Sequence, residues 1–380
     1  MDLKEFSDAD LLANLKDETL PLTARRQLAR ELARRSSAAA LAALKDLAAH
    51  AAPGLRAIVA EALGHSARPE AKDLLFALLG DPADSVVLGA IRGLSALGDT
   101  DAIRALAALL ADSAGSPALR TAAALGLGEM KSPAAVAILL GALRQMDDSS
   151  LKEAVLVALG RQPFASTEPF FRAYLDAPDG KPSLRVAALE SVAGAAGAGA
   201  PFLLPYTRDT DPQVRAAAAW ALTMVESQPG TGGELAGLLA NEPDAAVRTR
   251  LYQALGVQED FDFSLVRPFI ERESDLPARL AGYNLWAGQC AADRQSVVAV
   301  QFDQFAVPQL QQLALGTADR NDELTAVIAL RQAGTAAAQT AQQQIAGPAR
   351  DPKVIAAAQA ALAARNLLGR PRTNQITQQL

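Results

Sequence analysis

A basic residue recurs along this chain about every 31 residues, at Arg25, Arg56, Arg120, Lys152, Arg185, Arg215, Arg248 and Arg279, with Val87 filling the remaining place in the series. Successive gaps are 31, 31, 33, 32, 33, 30, 33 and 31 residues. A period of this size marks a solenoid, in which each unit buries its apolar face only against its neighbours.

The residues around each anchor give the unit its internal form. Seven positions on stand Leu32, Leu63, Leu94, Leu127, Leu159, Val192, Leu222, Leu255 and Trp286, and positions three and four on are mostly small or apolar. Offsets of three, four and seven share one face of a helix that turns every 3.6 residues. Each anchor therefore opens a helix with a buried stripe. Pro stands just upstream, as in Asp81-Pro82, Asp211-Pro212 and Glu242-Pro243, where a first helical turn loses nothing by a missing N–H. Gly64, Gly98, Gly128, Gly160, Gly194, Gly256 and Gly288 follow the stripe and are expected to end it in a left-handed conformation. A second apolar helix follows, as in Ala71–Leu79 and Ala102–Leu110. The unit is helix, short turn, helix.

The stretch Asp211-Pro212-Gln213-Val214-Arg215, followed by Ala216 to Ala219 and Trp220-Ala221-Leu222, resembles the HEAT repeat family. It is most similar to the bacterial HEAT-like repeats of the phycobilisome lyase type. The resemblance runs over roughly residues 8 to 366. It implies an all-α α-solenoid, a superhelix of about ten to eleven helical hairpins. It also implies that recurrent Asp and Arg residues stack between repeats, which is the expected role of the anchor ladder; a basic ligand-binding stripe is the alternative. Such repeats serve many unrelated tasks, so the resemblance bears on fold far more than on function.

Solenoids seal their ends. Residues 1–22 are expected to hold a capping helix that starts near Ser7-Asp8, and 23–290 the regular repeats. After Gly288 the rhythm fails: the next helix of anchor type carries Thr325 in the anchor position, 46 residues beyond Arg279. The excess fits an insertion at 291–305, expected as a loop on one face; a drifted repeat or a packing adjustment is the alternative. Residues 306–366 read as further HEAT-like repeats and 367–380 as a polar tail.

Half of the residues are hydrophobic but only 4% are aromatic, so the core is assembled from Ala, Leu and Val. The net charge of −6 disfavours a nucleic-acid backbone as partner. The opening residues lack the basic and apolar segments of a secretory signal. Cys290 is the one cysteine, and the least polar long stretch, Ser191 to Thr207, falls short of a membrane span. A cytoplasmic protein without a membrane segment is expected. With His50 and His65 as its two histidines, in no paired motif, the chain offers no metal-ligand signature. The paired His-Glu iron ligands of HEAT-type deoxyhypusine hydroxylases are missing. A HEAT-like DNA glycosylase is disfavoured by charge. No catalytic, cofactor or metal residue is assigned.

Fifteen of the seventeen aromatics lie between Phe164 and Phe305, which directs the search for an interface there. Trp286, Tyr252 and Tyr283 occupy core rungs. Trp220 sits five past its anchor, on a rung that is mostly polar but turns apolar at Leu125, Val157 and Trp220; a partner contact or an overlying loop would account for it. Phe261 and Phe263 mix with acids near a helix start. Gln301, Phe302 and Phe305 lie in the expected insertion. These six, Trp220, Phe261, Phe263, Gln301, Phe302 and Phe305, are the candidate partner-binding residues. Phe170, Phe171, Tyr174, Phe202, Tyr206, Phe263 and Phe269 belong to second helices or their edges, and some of them are expected to form a groove for a peptide or aromatic ligand. The expected function is a non-enzymatic scaffold or adaptor binding another protein or peptide. A bilin-lyase-like chaperone for a cofactor-bearing protein is the alternative, and nucleic-acid binding a third.

Overall fold

The computed structural model describes residues 3–177, 181–194, 199–316, 319–347 and 351–367. Among these there are 22 α-helices, two short 3-10 segments and no strand. The polar tail expected at 367–380 lies outside the described residues beyond Leu367. The chain forms two compact units, Met1–Ala198 and Gly199–Leu380.

The first unit begins with a lone helix, Asp8–Lys16, started by a capping box in which Ser7 and Asp10 satisfy each other's amides. Five hairpins follow: Leu22–Arg35 with Ala38–His50, Pro53–Leu63 with Pro69–Leu78, Asp84–Leu97 with Thr100–Ala111, Pro117–Glu129 with Pro133–Gln145, and Ser149–Gly160 with Phe164–Leu175. Pro182–Ala193 closes the unit. The second unit holds the short Ala200–Leu203 helix and then four hairpins: Pro212–Ala221 with Thr231–Leu238, Ala245–Leu255 with Phe263–Arg272, Leu276–Ala292 with Val297–Leu315, and Arg320–Ala333 with Ala336–Ile345. Pro352–Leu367 follows. Within each unit consecutive first helices pack side by side. This is the α-solenoid that the repeat period predicts.

The rung seven past each anchor is the innermost one. Leu32, Leu94, Leu127, Leu159 and Val192 in the first unit, and Leu222, Leu255 and Trp286 in the second, are 0% exposed. Starts are set by side-chain caps: Asp99, Asp148, Asp244 and Asp275 each accept a bond from the amide three residues on, meeting one of the unpaired donors of a first turn.

The glycines after the stripe behave differently from expectation. Of them, Gly98 alone has a left-handed backbone, with φ of 68°; Gly64, Gly194 and Gly256 end their helices in right-handed conformations. At Gly64, Gly128 and Gly160 the next first helix supplies the reason. A β-carbon on Gly64 would overlap the carbonyl oxygen of Gly93 on the next first helix, and one on Gly160 would overlap that of Ser191. On Gly128 it would come within 2.8 Å of Ala158 Cα. At these three positions the missing side chain serves helix-to-helix contact rather than helix termination.

The insertion expected as a loop at 291–305 is helical. The first helix of that hairpin runs on to Ala292, and Ser296 caps a second helix from Val297 to Leu315. These helices have 17 and 19 residues, and their added turns absorb the excess. Ala299, Phe302, Ala306, Val307, Leu310 and Ala314 are all buried, a spacing of three and four that keeps the helical period. The drifted-repeat alternative describes the segment.

Gly64→Ala and Gly160→Ala should each cost about 1–3 kcal/mol in urea unfolding, because the added methyl forces neighbouring backbones apart. Gly54, with nothing within 4 Å of a built β-carbon, is the control. Gly54→Ala should be neutral or stabilising by up to about 1 kcal/mol, through helix propensity.

Candidate interaction surfaces

Six of the nine anchors fall into two bonding modes. Arg56, Arg215 and Arg248 each fork onto one carboxylate 25 to 27 residues on. Arg56 Nε and Nη2 reach Asp81 at 3.0 and 2.8 Å, Arg215 reaches Glu242 at 2.9 and 2.8 Å, and Arg248 reaches Glu273 at 2.7 and 2.9 Å. The third nitrogen turns back to carbonyls just upstream, such as Ala51 O at 2.9 Å and Pro243 O at 2.8 Å. Each acid in turn accepts the amide two residues on, those of Ala83, Asp244 and Asp275. Arg25, Arg120 and Arg185 instead direct Nε to the carbonyl ten residues upstream, on Leu15, Leu110 and Leu175. Three anchors thus join their unit to the acid before the next first helix, as the resemblance implied, and three bond the last turn of the preceding helix; Arg279 Nε is buried without an acceptor.

The carboxylates are the sensitive ends of these forks. The side chain of Glu273 is 3% exposed and that of Glu242 6%. Burial pushes the Glu273 carboxyl up, but the Arg248 fork and the amides of Asp275 and Ser274 outweigh it and hold it below its ordinary 4.5. The Arg56 fork holds Asp81 below 3.8.

Two of the six candidate residues are core. Trp286 is ringed by Phe263 at 5.8 Å, Phe302 at 5.8 Å edge-on, and Phe305 stacked at 6.1 Å. Phe302 is 0% and Phe263 8% exposed, so neither is a surface residue as expected. Large rings complete the core where the long hairpin departs from the common spacing. The indole N–H donates to Val298 O at 3.1 Å. Cys290 is buried beside the same carbonyl, its thiol pushed up to about 12 by burial and then by Asp303.

The other four, Trp220, Phe261, Gln301 and Phe305, are half-buried. Phe261 covers the turn at Gly232, whose built β-carbon would lie 3.2 Å from the ring. Asp260 accepts the amides of Gly230 and Gly232 at that turn, and Asp262 caps the next helix through Ser264 N. The acids of this segment therefore act on helix starts. Of the second-helix aromatics, Phe171, Phe202 and Tyr206 are buried, whereas Phe170 and Tyr174 lie 5.5 Å apart and are half-buried. Phe269 is half-buried under Arg272 at 5.4 Å.

What sequence reasoning missed is aliphatic. Val297 is 72%, Leu265 64% and Val300 48% exposed, at the starts of two second helices in the Gly199–Leu380 unit. Along Val297–Leu315 the exposed residues are Val297, Val300, Gln304, Pro308 and Gln312, a single uncharged stripe. Their spacing of three and four, opposite Ala299 and Phe302, was the available signal. In the Met1–Ala198 unit, Val157 is 37% exposed. It edges an open groove of about 460 Å³ lined with Glu153, Arg161, Glu190 and Ser191.

Among the described residues no group of three or more His, Cys, Asp or Glu is placed to hold a metal ion. No described helix is long and apolar enough to cross a membrane.

A family model of HEAT repeats matches residues 9–91, 88–160 and 167–256. These segments make up more than half of the chain, and the protein belongs to the HEAT repeat family. The match does not extend to the phycobilisome lyase type. Among solved structures, a Kap121p mutant aligns at 13% identity over 94% of this chain and 45% of its own, with a TM-score of 0.58. Kap121p bound to Pho4p and Kap121p bound to Nup53p each align at 12% identity, over 95% of this chain and 49% of theirs, with TM-scores of 0.52. The chain spans about half the length of these Kap121p chains, and the likeness is one of fold. No curated protein matches.

Arg248→Ala should cost about 3 kcal/mol, since it strands a buried carboxylate. Arg120→Ala, which frees only a carbonyl, should cost about 1 kcal/mol. Glu273 and Asp81 have depressed pKa values, so their stabilisation is present above the ordinary 4.5 and 3.8 and is lost as pH falls through the lower folded values. Thermal melts should therefore hold steady down to about pH 5 and fall below about pH 4, and Glu273→Gln should make that acid fall shallower.

Proposed function

We propose that the chain is a non-enzymatic scaffold or adaptor that binds another protein or a peptide, and that it works in the cytoplasm. The observation carrying this reading is exposed aliphatic surface on two second helices: Val297 and Val300, 72% and 48% exposed on one, and Leu265, 64% exposed on the one before it, beside a core that other side chains already fill. Exposed branched aliphatics grouped at helix starts are costly in water and are covered when a partner docks. Half-buried Gln301 and Phe305 lie on the helix that carries Val297 and Val300, half-buried Phe261 just precedes the helix that carries Leu265, and Trp220 offers a separate half-buried ring, so all four stay in the proposed interface. Membership of the HEAT repeat family supports the reading, as does a fold shared with Kap121p, which has been solved bound to Pho4p and to Nup53p. The single buried cysteine suits a reducing compartment. The net charge of −6 leaves nucleic acid disfavoured as partner, and nothing supports the bilin-lyase-like alternative.

A tagged wild-type protein and a Val297→Asp/Val300→Asp variant should be compared by capture from extracts of the source cells, with mass spectrometry. Specific partners should be lost from the variant while its circular dichroism stays helical. Equal capture by both proteins would reject this surface as the interface.

A further inference from the structure

One carboxylate on the Met1–Ala198 unit is shared by three guanidiniums. Glu61 faces Arg26 Nε at 3.5 Å, Arg30 Nη2 at 3.2 Å and Arg92 Nη1 at 3.8 Å. Arg30, Glu61 and Arg92 hold equivalent places on three successive first helices, Leu22–Arg35, Pro53–Leu63 and Asp84–Leu97. The repeat period sets them in a row, and Arg26 joins from one turn before Arg30.

The donor and acceptor inventory of this row does not balance. Three guanidiniums present fifteen N–H groups, whereas one carboxylate has about four acceptor sites. Only the Arg30 contact is a hydrogen bond, and Arg26 Nε is buried without an acceptor. Glu61 is held inward at 16% exposure, while the side chains of Arg26, Arg30 and Arg92 are 38%, 50% and 55% exposed. The nearest acid on the Leu22–Arg35 helix, Glu31, is already engaged by Arg34 and Arg35. The face therefore carries excess positive charge and free forked donors on a chain whose net charge is −6.

We propose that the Arg26–Arg30–Arg92 face binds an acidic protein segment, whose Asp or Glu side chains supply the carboxylates that Glu61 alone cannot. Guanidinium forks pair bidentately with carboxylates. First helices about 8–10 Å apart are spanned by about three residues of an extended segment, which rises about 3.3 Å per residue. A long polyanion fits less well, because the acidic remainder of the chain repels it. The inference rests on the reading of the chain as a protein-binding scaffold, and it places a second, polar contact on the other unit.

The test is fluorescence anisotropy with a labelled peptide of alternating Glu and Ser, at low and at physiological salt. Wild type should bind with an affinity that falls as salt rises. Arg30→Gln/Arg92→Gln should weaken binding by about tenfold. Glu61→Gln should strengthen it by about threefold, because the competing carboxylate is gone; a folding defect would act in the opposite direction. The Val297→Asp/Val300→Asp variant should bind the acidic peptide like wild type, which separates this site from the aliphatic one. The proposal is overturned if the Arg variant binds the peptide as wild type does, or if Glu61→Gln lowers the affinity. Tighter binding of a single-stranded oligonucleotide of equal charge would overturn it in favour of nucleic acid.

Discussion

Backbone meets backbone where consecutive first helices cross in the Met1–Ala198 unit, and the rest of that unit depends on it. Gly64 against Gly93 and Gly160 against Ser191 leave no room for a β-carbon. A repeat array has no central core, so each interface between neighbours must be dense over its whole area. Close approach achieves this with Ala and Gly, which explains how a chain with 4% aromatics folds. It also fixes the lateral spacing that puts Arg30, Glu61 and Arg92 in one row.

The forked arginines reinforce the same junctions from the loops. An acid just before the next first helix receives the Arg and an amide of its own loop, so one carboxylate fixes both the spacing and the turn. Where Nε instead meets a carbonyl ten residues upstream, the link is neutral at its acceptor end and makes no demand on a buried charge. Six of the ladder's arginines are engaged in this way, which directs the search for binding to residues on other rungs.

The second unit achieves closure differently around Trp286. A rung that elsewhere holds Leu here holds an indole, and three phenylalanines and two lengthened helices fill in around it. Lengthening the second helix sets Val297 and Val300 on its free side, so a change in core packing and an exposed aliphatic stripe arise together.

The repeat period, the hairpin unit, the innermost rung and the structural role of the arginines were all legible in the residues, because each is a local pattern copied many times. The residues alone left open which side of Val297–Leu315 faces inward, since branched and aromatic residues serve a core and an interface equally well. Phe263 and Phe302 turned inward because Trp286 offered them a surface, while Val297 and Val300 were left outside. The glycines carried the same ambiguity: Gly ends a helix and also admits a neighbour, and only the approach of the next helix decided for Gly64 and Gly160. Sequence determined the helices and their faces through periodicity and capping, which act within a few residues. The tertiary structure decided which face was used and which charges were left unbalanced, because both depend on neighbours about thirty residues away.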